Sequence, residues 1–78
     1  MAVLIAVDHD NNNKISTKSF ETAYKAYDSA FNGVDSFGNR TMCVIEEEER
    51  VDTIVNVIRS NISKGLPVDY GIEKEEFF

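Results

Sequence analysis

Two stretches of this 78-residue chain concentrate negative charge. Glu46, Glu47, Glu48 and Glu49 run together with Asp52 close behind, and Glu73, Glu75 and Glu76 follow near the C-terminal end. A run of carboxylates with no His or Cys beside it has one general use: it attracts and orients cationic surfaces. Such a patch can stand in for a nucleic-acid backbone and occupy a basic protein groove. The same four glutamates also suit a helix start, where they complement exposed amides and the helix dipole. Charge runs are commonly solvated faces, so the residues carry both readings.

Asp8, Asp10 and Asn12 alternate along the stretch DHDNNNKIS. Calcium takes about six to eight hard oxygens from carboxylates, amides and carbonyls at such spacing. The stretch resembles the loop of an EF-hand. The resemblance implies ligands at Asp8, Asp10 and Asn12, a backbone carbonyl at Lys14, an apolar position at Ile15 and a water-linked ligand at Ser16. Asn13 stands where that loop has Gly, and Ser19 where it has a bidentate Glu; Glu21 comes two residues later. No helix precedes the loop, because Met1–Val7 is short and reads as a strand. The other reading is a polar loop whose Asp and Asn side chains bond nearby backbone groups. Weakly bound calcium is the one ion suggested, and no other cofactor is expected. One Cys and one His cannot complete a zinc site.

His9, the single His, stands between two Asp, which could orient an imidazole as a base. No Ser, Cys or Thr is paired with it in the sequence, so no catalytic residue is assigned. Cys43 lies in the apolar run TMCVI and reads as an inert core thiol, since a reactive thiolate wants nearby positive charge. Phe20, Tyr24, Tyr27 and Phe31 fall on one helical face and are expected in the core, with Tyr27 at its edge. Phe77 and Phe78 end the chain after EKEE. They either enter a partner's pocket or tuck over the core. Asn39-Arg40-Thr41 and Asn61-Ile62-Ser63 match the glycosylation acceptor pattern, and without a secretory leader both are treated as chance.

These residues need elements to hold them. AVLIAV at Ala2–Val7 is a strand buried on both faces. A helix is expected from about Thr17, capped by Ser16, stapled by Ile15 and Phe20, and ended by Gly33 in the left-handed region. Residues 34–39 are irregular, with Gly38-Asn39 as a turn and a candidate hairpin arm before it. Thr41–Ile45 is a second strand. Val51, Ile54, Val55, Ile58 and Ile62 define a second helix, stopped by Gly65 and Pro67. Leu66, Val68, Tyr70 and Ile72 alternate with polar or small residues, which suggests a third strand. The expected fold is α+β in β-α-β-α-β order. A small mixed three- to four-stranded sheet would carry two amphipathic helices on one face. Residues 1–78 form a single domain, with 73–78 as a flexible tail.

Composition narrows the function. Fourteen acidic against eight basic side chains give a net charge of −6. That charge disfavours nucleic acid and anionic membranes as direct partners. No apolar run approaches the roughly 20 residues of a membrane span. An unpaired Cys and no leader fit the cytoplasm. A small, acidic chain poor in catalytic groups reads as a non-catalytic protein-binding module. In composition it is similar to the inhibitors that phages encode against nucleic-acid machinery, anti-CRISPR proteins among them. The similarity implies a basic protein groove as partner. The alternatives are a calcium module on Asp8–Ser16, or a homo-oligomeric structural subunit that meets its copy through a sheet edge or Phe77-Phe78.

Overall fold

The computed structural model describes all 78 residues. Its apolar first run forms β1 (Ala2–Asp8), of which Ala2–Val7 are all buried. β1 turns back into β2 (Lys14–Phe20), antiparallel, with Val7 opposite Ile15 and Ala2 opposite Phe20. Then come α1 (Ala23–Asn32), a 3-10 turn at Val34–Ser36, β3 (Arg40–Ile45), a second 3-10 turn at Glu48–Arg50 and α2 (Val51–Ser63). β3 pairs antiparallel with the other side of β1, from Asp8 opposite Arg40 to Val3 opposite Ile45. The strand order is β2-β1-β3. The molecule is thus a small α+β fold with a three-stranded antiparallel sheet and two helices.

The element order is β-β-α-β-α, which corrects the expected β-α-β-α-β arrangement, and the sheet is antiparallel rather than mixed. The first difference lies at residues 14–20, expected to open a helix and found as β2. Asn12 and Asn13 adopt left-handed conformations at φ 55° and 57°, which Asn tolerates. They reverse the chain into a hairpin, and pairing with β1 then outweighs any capping at Ser16. The real cap is Thr22, whose side chain accepts the Lys25 N–H at 3.2 Å. Gly33 does end α1, but in an extended conformation (φ −111°) rather than a left-handed one. Glycine also eases a tight approach there: a Cβ would sit 3.0 Å from Ser29 Cα.

The third strand expected at 66–72 is a pair of turns. The Tyr70 N–H bonds Pro67 O and the Ile72 N–H bonds Asp69 O, each at 3.0 Å. Asn61, buried on α2, donates through Nδ2 to Val68 O (3.1 Å) and Tyr70 O (2.9 Å) and so holds this segment. The tail, in contrast, docks on the sheet. Met42 and Phe78 exchange backbone hydrogen bonds at 2.7 and 2.9 Å, along the outer edge of β3.

The two helices lie on opposite faces of the sheet, not on one. Ala2, Leu4, Ala6, Met42 and Val44 meet Ala26 and Ala30 of α1. Val3, Ile5, Val7, Cys43 and Ile45 meet Ile54 and Ile58 of α2. Successive strand side chains alternate between faces, so a strand apolar at every position must be covered twice. Leaving Val3, Ile5 and Val7 wet would forfeit about 1.5–3 kcal/mol each. α1 approaches through alanines, with Ala26 and Ala30 buried. The expected aromatic core face is therefore corrected: Tyr24 is 79% exposed and Phe31 58%. Phe20 and Tyr27 are partly buried against the α1 layer.

Candidate functional site

β3 delivers Glu46 at its C-terminal end, and the following residues enter the 3-10 turn that leads into α2. Glu46, Glu47, Glu48, Glu49, Asp52, Glu73 and Glu76 are exposed, whereas the Glu75 side chain is largely buried, 9% exposed. The tail returns antiparallel to β3, with Phe77 bridged to Cys43. Glu75 and Glu76, the residues just before that bridge, come near the first acidic stretch. Arg50 joins the two. Its NH1 donates to Glu47 Oε2 at 2.9 Å and pairs with Glu75 Oε1. The Met1 ammonium lies 3.5 Å from Glu48 Oε1. Glu46, Glu49, Asp52, Glu73 and Glu76 enter no ion pair.

Phe77 and Phe78 straddle the sheet edge. Phe77 packs with the α2 layer and Phe78 with the α1 layer. On the α1 side, Phe31 stacks on Phe78 with centroids 4.5 Å apart, and Tyr27 lies 5.7 Å from Phe78 and 6.3 Å from Phe31. The Tyr27 phenol is held above its ordinary pKa, first by burial and then by the negative charges of Glu76 and Glu46, with smaller effects from Cys43 and Glu75. Carboxylates from both acidic stretches thus act on one ring. Sequence alone did not show that the stretches share an end of the molecule; the tail register brings them together.

The stretch read as EF-hand-like is the β1–β2 hairpin turn, with strands rather than helices on both sides. Asp8 Oδ1 accepts the Asp10 N–H at 3.1 Å. Asp8 has Lys14 and Arg40 as its cross-strand neighbours. Asp8, Asp10 and Asn12 stay within this turn, and no group of three or more His, Cys, Asp or Glu side chains gathers as a metal cage.

His9 has a partner that sequence reasoning missed. Its Nε2 lies 2.7 Å from Thr41 Oγ1 and its Nδ1 3.0 Å from Asn13 Oδ1. The Asn13 oxygen only accepts, so Nδ1 donates to it, while the Thr41 hydroxyl can serve Nε2 as donor or acceptor. Thr41 is 32 residues away and arrives through the pairing of Val7 with Thr41, which no local motif announces. The trio pins the hairpin turn to β3 and lines, with Leu66, Pro67 and Phe77, a cleft of about 570 Å³. Cys43 is fully buried, and its thiol is pushed up to about 12 by burial and then by Glu75. It is therefore almost wholly protonated at neutral pH. Asn61 is only 5% exposed and spends its amide on two carbonyls, so the folded chain does not present it as a glycan acceptor.

No protein-family model, curated protein or solved structure matches the chain. No helix is long and apolar enough to cross a membrane.

Proposed function

We propose that the chain is a non-catalytic acidic protein-binding module that docks its anionic end on the basic groove of a nucleic-acid-handling protein. Its action would be that of the phage-encoded, anti-CRISPR-type inhibitors that it resembles in composition. The observation that carries this reading is the convergence of two acidic stretches, distant in sequence, at one end of the sheet. Five of their carboxylates lack an ion-pair partner there. Unpaired charges of one sign at one end of a molecule repel one another, and a cationic surface relieves that repulsion. Such a field also speeds encounter with a positively charged groove. Direct binding to nucleic acid or to an anionic membrane is opposed by the same charge. The cytoplasm is the proposed site of action, since it keeps a lone thiol such as Cys43 reduced.

The test replaces Glu46, Glu47, Glu48 and Glu49 with Lys and measures binding of a nona-lysine peptide at low and moderate salt. Affinity should fall by more than tenfold and its salt dependence should flatten. Unchanged affinity would remove this end of the molecule as the docking site.

A second reading rests on the free outer edge of β2. The tail meets the edge of β3 at Met42, whereas β2 pairs only with β1. A second copy could extend the sheet there. Sedimentation across a concentration series decides it, and a strict monomer rejects it.

A further inference from the structure

We propose that the face made by Tyr27, Phe31 and Phe78, beside the acidic end, is a seat for an arginine side chain of the partner protein. The inference rests on the docking reading above and names the group that the site takes.

The core does not need Phe31. α1 packs on the sheet through Ala26 and Ala30, and Phe31 lies one turn beyond Tyr27 with 58% of its surface exposed. Its ring is nonetheless held in place. It is nearly parallel to Tyr27 (8° between planes) and closely stacked on Phe78, which the Met42 backbone fixes. The result is a rigid aromatic surface with one side wet. An exposed apolar surface of this kind marks a contact site more often than an isolated aromatic does.

Its surroundings choose the occupant. Glu46 and Glu76 have no ion-pair partner, and both act on Tyr27 in this aromatic cluster. An apolar helix laid on the rings would strip water from these carboxylates and return nothing. A nucleobase would bring phosphates toward them. A guanidinium suits both parts, because its plane stacks on a ring while its N–H groups fork onto carboxylate oxygens. Lysine makes a weaker fit: its ammonium is compact and strongly hydrated, and it cannot stack.

The experiment compares nona-arginine and nona-lysine peptides of equal charge, titrated into the full chain and into Phe31→Ala and Phe31→Leu. Phe31 is largely exposed, so both variants should keep the fold, and circular dichroism confirms it. The wild type should bind nona-arginine about 2- to 5-fold more tightly than nona-lysine, the range of a cation–π contact at an exposed site. Both variants should lose that preference while holding nona-lysine as well as the wild type does. Equal binding of the two peptides to the wild type would overturn the seat and leave the acidic docking reading intact. Preference retained in both variants would also overturn it. Failure of both peptides to bind would end both readings.

Discussion

Asp35 is a charged residue on which stability should depend. Its side chain is only 16% exposed, at the junction of β2, α1 and β3. Ser29 Oγ donates to Oδ2 at 2.7 Å, Lys18 Nζ donates to the same oxygen at 3.1 Å, and Arg40 NH1 lies 3.9 Å from Oδ1. Burial by itself would raise the carboxyl pKa. The Ser29 and Lys18 hydrogen bonds, with the Lys18 and Arg40 charges, outweigh burial and hold it below the usual carboxylate range. Asp35→Asn keeps the size and an oxygen for Ser29 but removes the charge. Lys18 is half exposed, so losing its pair costs about 0.2–1 kcal/mol. Turning a charge-assisted bond from Ser29 into a neutral one costs about 1 kcal/mol more. The sum is about 1–2 kcal/mol, or a fall in Tm of about 4–15 °C for a domain of this size. Thermal melts followed by circular dichroism at a series of pH values test this. A depressed folded pKa stabilises above the unfolded value of about 4, and that stabilisation is lost as pH falls through the folded pKa. The gap between wild type and variant should therefore be full at pH 7 and should close in acid. Equal Tm values at pH 7, or a gap that does not narrow in acid, would refute the reasoning.

Asn61→Ala should cost about 1–2 kcal/mol, because two part-buried carbonyls lose their donor. Hydrogen exchange should then quicken first in residues 66–72, and unchanged protection there would show that the segment holds itself. Calcium titrated into metal-stripped protein should give no heat at micromolar concentration, since Asp8 is flanked by Lys14 and Arg40 and already bonds Asp10. A micromolar site would overturn the reading of this stretch as a plain hairpin turn.

β1 and α2 were legible in the sequence because burial dictates them. Six consecutive apolar residues leave only a doubly covered strand, and Val51, Ile54, Val55, Ile58 and Ile62 leave only one helical face. β2 was not legible. KISTKSF has two apolar residues, Ile15 and Phe20, five apart, and they suit a helix staple as well as opposite faces of a strand. Only the reversal at Asn12 and Asn13, followed by pairing with β1, decides between the two. The 66–72 segment alternates as a strand should, yet Asn61 satisfies its carbonyls from α2 and no neighbouring strand competes. On α1 the aromatic spacing suggests a core face, yet the small residues Ala26 and Ala30 are the ones that face the sheet. The acidic residues could be named from sequence, but their convergence depends on two hydrogen bonds between Met42 and Phe78. The Thr41–His9 bond depends in the same way on strand register, which local patterns do not encode.

Placing the doubly covered strand first has a consequence for the order of synthesis. β1 emerges before any of its partners. β2 and α1 follow soon after and can shelter Ala2, Leu4 and Ala6 during elongation. Val3, Ile5 and Val7 must wait for α2, and the outer edge of β3 waits for Phe77 and Phe78. A nascent chain halted before Val51 therefore carries a bare aliphatic stripe beside unpaired strand edges, the combination that recruits chaperones or nucleates aggregates. The doubly covered strand is therefore the first element made and among the last to be fully sheltered.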